Sequence, residues 1–145
     1  MADHVRVPGS TLLLVLALLR EEAGRPHSAE HLYQQAADRG DTTALWTLVR
    51  RHEQAGRPDR AEHLARQAAD QGDATLLREL AWRREQAGDL STAQRLYRQA
   101  ADRGDTRALR DLAWRREQAG DVNTAQKLYR QAADRGDTRA LRELA

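Results

Sequence analysis

The sequence predicts an all-α, right-handed solenoid of about four and a half helix–turn–helix repeats. Three observations lead to this fold class. The segment LYRQAADRGDTRAL at residues 96–109 recurs unchanged at 128–141 and in related forms at 32–45 and 64–77, always 32 residues apart. Two sets of glycines follow the same step. The composition, with 40% hydrophobic and 32% charged residues and no Phe, relies on the Leu, Ala, Arg and Glu that favour helices. A fixed period of this length is typical of stacked repeats.

The glycines mark where the predicted helices end, since glycine is preferred just past a helix C-terminus. One set is Gly24, Gly56, Gly88 and Gly120, and the other, midway between, is Gly40, Gly72, Gly104 and Gly136. An Asp or an Arg-Pro pair follows each of them. Asp can cap the next helix, and Pro26 and Pro58 suit a first helical position. Each repeat therefore contains two short helices, A and B.

The predicted A helices span 10–23, 42–55, 74–87, 106–119 and a truncated 138–145, and the B helices span 26–39, 58–71, 90–103 and 122–135. Apolar stripes run along them, for example through Leu45 and Leu48 in a helix A and Leu96 and Ala100 in a helix B. Neither helix can bury its stripe alone, so neighbours must stack. We expect a single domain over 1–145, with repeats at about 9–40, 41–72, 73–104 and 105–136 and a partial repeat at 137–145.

Helix B carries a small–aromatic–small pattern, in Ala29-Tyr33-Ala36, Ala93-Tyr97-Ala100 and Ala125-Tyr129-Ala132. A second pattern consists of Tyr97, Ala100, Ala101, Gly104, Ala108 and Leu112. With these motifs the chain resembles the tetratricopeptide repeat and its close relative, the Sel1-like repeat. The period is shorter than the ~34 residues usual for the former. Arg20, His52, Arg84 and Arg116 also stand where that family has a Tyr. These departures concern the subfamily, not the fold.

The last two repeats are nearly identical: residues 89–113 and 121–145 differ at four positions. This similarity indicates a recent duplication or deliberate construction. Because the sequence stops inside a fifth helix A, we expect a fragment of a longer array or an end that another molecule covers.

The resemblance implies a concave groove lined by helix A residues, which are Trp46, Arg50, Arg78, Glu79, Trp82, Arg110, Asp111 and Trp114. The predicted partner-binding residues are Trp46, Arg50, Arg78, Trp82, Arg110 and Trp114. Trp82 and Trp114 lie one repeat apart, and an aromatic beside Arg is typical of interaction hot spots. In the alternative interpretation both rings fill gaps between A helices. Nearby, Glu79 with Arg83 and Asp111 with Arg115 have the spacing of ion pairs along one helix.

The first helix is more apolar than its siblings, and we predict that it self-associates. The residues predicted to do so are Leu12, Leu14, Val15, Leu18 and Leu19. Leu18, for example, stands where later repeats have Arg50, Trp82 and Trp114. A contiguous apolar patch usually marks an interface. The favoured state is a two-fold dimer, with a weaker head-to-tail contact at Leu141 and Leu144. In the rival interpretation the helix folds onto residues 1–7 or inserts into a membrane surface.

The sequence contains few motifs that would indicate a catalytic or metal-binding site. There is no Cys, and no nucleophile elbow or phosphate-binding loop is present. His27 and His31 are four residues apart, but no third ligand lies near them in sequence. The apolar run at residues 12–19 is too short to cross a bilayer and has no cleavage site after it. We therefore predict a cytoplasmic protein that is not an enzyme, with no cofactor, no metal and no membrane association.

The expected function is a non-catalytic scaffold or adaptor for a protein or peptide partner. The alternative is a helical-repeat protein that binds nucleic acid, which Arg107, Arg110, Arg139 and Arg142 keep open. A net charge of only +2, with acids interleaved among the arginines, weighs against that alternative because polyanion binding needs an uncompensated basic surface.

Overall fold

A computed structural model describes residues 9–145, and this range contains nine α-helices and no strand. The helices are α1 Gly9–Glu22, α2 Pro26–Asp38, α3 Thr42–Gln54, α4 Pro58–Asp70, α5 Thr75–Gln86, α6 Leu90–Asp102, α7 Thr106–Gln118, α8 Val122–Asp134 and α9 Thr138–Glu143. These bounds lie within one or two residues of the predicted ones. The prediction of alternating A and B helices is therefore confirmed.

The turns between helices have the structure that the Gly-Asp pairs predict. After α6, Gly104 adopts a φ of +92° and its N–H donates to the carbonyl of Ala101 at 3.0 Å. The N–H of Asp105 donates to the carbonyl of Ala100 at 3.1 Å, which completes a Schellman motif. The Asp105 carboxylate then accepts from the N–H of Ala108 at 3.0 Å and caps α7. The same two-residue turn therefore ends one helix and starts the next.

The helices divide into two compact units, and the boundary falls between Gln71 and Gly72, after the second repeat. In the first unit α1 packs on α2, α2 on α3 and α3 on α4. In the second unit α5 to α9 pack in the same sequential way. Contacts between neighbours in the chain are what a stacked-repeat architecture requires.

Small residues form the helix crossings of the core. Ala36, Ala68, Ala100 and Ala132, which share one position of helix B, are all fully buried. Leu45, Leu48, Leu77 and Leu80 of the A helices are also fully buried. Alanine lets the helices approach closely, and the leucines fill the space beside each crossing.

Enlarging one of these alanines should overpack a crossing. We expect Ala100→Leu to destabilise the protein by about 1–3 kcal/mol because the added methylenes have no space in a close-packed core. Thermal unfolding followed by circular dichroism measures the loss. Gln94→Leu, on the exposed side of α6, is the matched control and should change stability little. An unchanged melting temperature for Ala100→Leu would show that the crossing is not tightly packed.

Helix α1 departs from the burial pattern of the other A helices. Leu12, Val15, Leu18 and Leu19 are exposed, as the sequence predicts. Leu14 is only half-buried, so it contributes less to this face than expected. Leu16 is also exposed, although its equivalent Leu48 is fully buried. The reason is that α3 packs against helices on two sides within its unit, whereas α1 packs mainly on α2.

The rival interpretation of α1, in which the helix folds onto residues 1–7, falls outside the described residues. None of the helices within residues 9–145 is both long and apolar enough to cross a membrane.

Candidate functional site: a tryptophan-lined groove

Trp82 of α5 and Trp114 of α7 line one groove in the second unit, and 52% and 54% of their surfaces are exposed. The groove has a volume of about 520 Å³. Its other lining residues are Arg78, Glu79, Glu85, Gln86, Tyr97, Arg107, Asp111 and Arg115. We call it the Trp groove. Neither Trp residue is therefore enclosed in the core.

Three residues form the floor of the Trp groove. Tyr97 of α6 is almost completely buried, and its hydroxyl donates to a carboxylate oxygen of Glu85 at 3.4 Å. The guanidinium carbon of Arg115 lies 4.2 Å from the centre of the Tyr97 ring, and Arg115 also pairs with Glu85. Burial raises the pKa of Tyr97, so its hydroxyl stays a donor. This Glu–Tyr–Arg cluster ties α5, α6 and α7 together.

The first unit contains the same cluster two repeats earlier. The Tyr33 hydroxyl donates to Glu21 at 3.0 Å, Arg51 pairs with Glu21, and the Arg51 guanidinium lies 5.1 Å from the Tyr33 ring centre. A groove of about 520 Å³ lies over it, lined also by Leu18, Thr47, Arg50 and Gln54. We call this second groove the Leu18 groove.

The two clusters were not predicted, although their members have a constant spacing in the sequence. Glu, Tyr and Arg stand at positions i, i+12 and i+30 in both clusters, although the second repeat has Ala65 at the Tyr position. In the last full repeat, Tyr129 donates to Glu117 at 3.3 Å. There, burial, followed by the negative charge of Glu117, raises the pKa of Tyr129 to about 12.

Each groove has a floor made of Glu, Tyr and Arg, but the residues at the rims of the two grooves differ. Where the Trp groove has Trp82, Asp111 and Trp114, the Leu18 groove has Leu18, Thr47 and Arg50. At these three positions the Trp groove therefore has two aromatic rings and a carboxylate, and the Leu18 groove has none of them. This difference supplies matched substitutions for the experiments below.

Two of the predicted partner-binding arginines are engaged inside the protein. Arg78 donates to Asp105 at 2.6 Å, and Arg110 donates to Asp137 at 2.6 Å. Burial raises the pKa of Asp137, but the hydrogen bonds from Arg110 and from backbone N–H groups outweigh it and lower the pKa. Both ion pairs tie an A helix to the N-terminus of the next A helix. These arginines therefore stabilise the stack of helices.

The predicted partner-binding residues do not form one site, and they are divided between the two grooves and positions outside them. Arg78, Trp82 and Trp114 meet in the Trp groove, and Arg50 lines the Leu18 groove. Trp46 is half-buried, and neither it nor Arg110 lines either groove.

Asp111 does not form the ion pair that its spacing along α7 predicts. Glu79 and Arg83 form the expected pair at 3.4 Å. Arg115, however, pairs with Glu85 and donates to the main-chain oxygen of Asp111 at 3.0 Å, so the predicted Asp111–Arg115 ion pair is wrong. Burial raises the pKa of Asp111 despite the positive charges of the nearby arginines. The side chain of Asp111 is a half-buried carboxylate on the groove wall.

The histidines do not assemble a site in the described part of the chain. His27 and His31 are exposed, and His31 shares a hydrogen bond with Gln35 at 3.1 Å. His52 is buried, and burial lowers its pKa. Among residues 9–145 no three His, Asp or Glu side chains gather as metal ligands would.

Comparison with known proteins agrees with this architecture. A crystal structure of a Sel1 repeat protein from Oxalobacter formigenes aligns with a TM-score of 0.56 and 23% identity, over 93% of this chain and 62% of that chain. No significant match is found among curated proteins. The Sel1 repeat model matches residues 26–41, 57–73, 85–105 and 108–137. These segments make up more than half of the chain, which therefore belongs to the Sel1 repeat family, whose repeats are in general non-catalytic protein–protein interaction modules.

Proposed function

We propose that the protein is a non-catalytic scaffold or adaptor that binds a protein or peptide partner in the Trp groove. The observation that carries the proposal is the pair of half-exposed rings, Trp82 and Trp114, one repeat apart over a common floor. A tryptophan offers a large apolar area with few rotatable bonds, and Trp is enriched where binding energy concentrates. Rings that a core would bury are here available to a partner.

The floor supports the proposal as well. The Glu–Tyr–Arg cluster of Glu85, Tyr97 and Arg115 links three helices through a hydrogen bond, an ion pair and a cation–π contact. A groove held in this way needs little ordering when a partner binds, and a lower ordering cost leaves more of the contact energy for affinity. Its volume is within the range of natural ligand sites and suits one or two side chains of an extended segment.

The charges of the groove favour a protein partner over nucleic acid. Its arginines are balanced, since the lining contains three arginines, Arg78, Arg107 and Arg115, and three carboxylates, Glu79, Glu85 and Asp111. Arg78 and Arg115 are further engaged in ion pairs. Nucleic-acid binding draws most of its affinity from cations that neutralise phosphates, and such cations are few here.

Exchanging the rim residues between the two grooves tests the proposal. Trp82→Leu combined with Trp114→Arg installs the residues that the Leu18 groove has at these positions. We expect the double variant to keep its helical content. We expect peptides selected by the wild type from a displayed random library to bind it at least about tenfold more weakly, because two hot-spot rings are lost. Isothermal titration calorimetry with synthetic copies of those peptides measures the affinity.

The control for this exchange is Leu90→Ala, at an exposed position of α6 outside the groove. It should leave peptide affinity unchanged. Selected peptides that bind the double variant as tightly as the wild type would contradict a partner site at the Trp groove.

We propose in addition that a second copy of the chain covers α1. Five apolar side chains of this helix, Leu12, Val15, Leu16, Leu18 and Leu19, are each about half exposed. Burying each of them would contribute up to about 1.5–3 kcal/mol. Since the same face recurs on every copy, a two-fold dimer buries the patch on both chains with one contact.

Helix α3 supplies the matched test of self-association. The triple change Val15→Thr, Leu18→Arg and Leu19→Arg gives α1 the residues that α3 has at the same positions, Thr47, Arg50 and Arg51. We expect sedimentation of the wild type as a dimer and of the variant at the monomer mass of 16.4 kDa. A wild type that is monomeric at high micromolar concentration would contradict the dimer, and so would a variant that keeps the dimer mass.

A further inference from the structure

The charged side chains that line the Trp groove mostly pair with one another or with close neighbours. Arg78 pairs with Asp105, Arg115 with Glu85, and Glu79 with Arg83. Asp111 stands apart from these pairs. Within residues 9–145 its carboxylate has no hydrogen bond or ion pair, although it is half-buried and lines the groove.

The surroundings of Asp111 fit a positive charge from outside. Trp114 follows it by three residues on α7, so the two side chains lie on the same face of the helix. Trp82 lines the same groove from α5. The face of a Trp ring attracts cations, most strongly those of arginine and lysine, and the attraction grows where water is partly excluded. Two such rings beside a carboxylate provide both components of cation recognition.

We propose that the Trp groove binds an arginine or lysine side chain of the partner, with its charged group against Trp82 and Trp114 and paired with the carboxylate of Asp111. This assignment rests on the proposed function, because it names the chemistry of the partner segment that enters that groove. The occupant is therefore a basic peptide segment rather than an acidic one.

The nearby arginines do not reverse this preference. Arg78, Arg110 and Arg115 are already paired with Asp105, Asp137 and Glu85. Their charges lower the pKa of Asp111, but burial raises it by more. Arg107 is exposed, so a partner carboxylate at that rim would form a surface ion pair of little value. Asp111 is partly desolvated already, which is why its pKa is raised, and a hydrogen-bonded cation would compensate that cost. The half-buried Asp111 therefore has a stronger effect on the charge that the groove prefers than the exposed Arg107 has.

The Leu18 groove acts as an internal reference. It has the same Glu–Tyr–Arg floor, but Thr47 replaces the carboxylate, and Leu18 and Arg50 replace the two rings. By the same argument it has no preference for a basic side chain. Asp111→Thr therefore places the residue of the reference groove in the Trp groove, and Asp111→Asn removes the charge while keeping the shape.

The test is a double-mutant cycle on peptides that the wild type selects from a displayed random library. We expect the selected peptides to contain an Arg or Lys whose replacement by norleucine weakens binding about tenfold in titration calorimetry. Asp111→Asn and Asp111→Thr should weaken binding of the parent peptide by a similar factor. They should leave the affinity of the norleucine peptide nearly unchanged, because that peptide has no basic side chain to pair with Asp111. Circular dichroism checks that both variants are folded. If the Thr variant does not fold, the conclusion rests on the Asn variant, which keeps the shape of the side chain.

The outcomes separate this inference from the proposed function. Peptides that need Trp82 and Trp114, yet contain no basic residue or show no coupling to Asp111, would overturn the cation assignment and leave the partner site standing. Selected peptides that bind without either Trp would contradict the partner site itself and the assignment with it.

Discussion

Replacing Tyr97 with Ala is expected to destabilise the protein by about 3–5 kcal/mol, the usual cost of removing a large buried ring. Only 2% of its surface is exposed. The ring packs beneath Arg115, and its hydroxyl donates to Glu85. Loss of the ring leaves a cavity at the junction of α5, α6 and α7. Urea unfolding followed by helical circular dichroism measures the change in the free energy of unfolding.

Two further variants separate the contributions of Tyr97. Tyr97→Phe keeps the ring and the cation–π contact and removes a single long hydrogen bond, so we expect a cost of about 0.5–1.5 kcal/mol. Tyr129→Ala removes the equivalent ring, which has no arginine over it among the described residues, and should cost less than Tyr97→Ala. A loss below about 1 kcal/mol for Tyr97→Ala would show that the Glu–Tyr–Arg cluster does not hold the three helices together.

Replacing Asp105 with Ala is expected to cost about 2–3 kcal/mol because its carboxylate has two structural roles. One oxygen caps α7 by accepting from the N–H of Ala108 at 3.0 Å, and such caps are worth about 1 kcal/mol. The other oxygen accepts from Arg78 at 2.6 Å, and about four-fifths of the Arg78 side chain is buried. A hydrogen bond to a charged group in such a setting adds about 1.5–3 kcal/mol, reduced here by the remaining exposure.

The comparison variants for Asp105 distinguish the two roles. Asp105→Asn keeps the capping oxygen and loses the charge opposite Arg78, so we expect a loss of about half that of Asp105→Ala. Asp121→Ala removes a cap of the same kind, on the N–H of Thr124, at a position without an arginine hydrogen bond, and its effect should be smaller. Equal losses for Asp105→Ala and Asp121→Ala would mean that the Arg78 pair contributes nothing measurable.

The secondary structure followed closely from local signals. Gly104 permits the left-handed turn that ends α6, Asp105 caps α7, and Pro58 starts α4, so each helix boundary is encoded within a few residues. The burial of Ala100 followed from the spacing of apolar residues on one helix. Such features depend on neighbours three or four residues away, which is why one sequence suffices to place them.

The candidate site was only partly predictable. Trp82 and Trp114 were identified as a pair from the repeat, but the sequence left their exposure open, since a position beside the apolar stripe can face either a groove or a neighbouring helix. The Glu–Tyr–Arg cluster went unnoticed because its members come from three different helices. Matching positions in the repeats indicate which residues are equivalent. Whether Glu, Tyr and Arg contact one another depends on how the three helices pack.

The sequence by itself thus determined the repeat, the helix boundaries and the small-residue core, because caps, turns and amphipathic spacing act over one or two helical turns. The tertiary structure alone decided which charged side chains pair with one another. Arg78 pairs with Asp105, which lies 27 residues away in the sequence. Arg115 reaches Glu85 and leaves the side chain of Asp111 unpaired, although spacing along the helix favoured the opposite arrangement. Competition between a local and a distant carboxylate is settled by distance in space, and only the packed helices fix that distance.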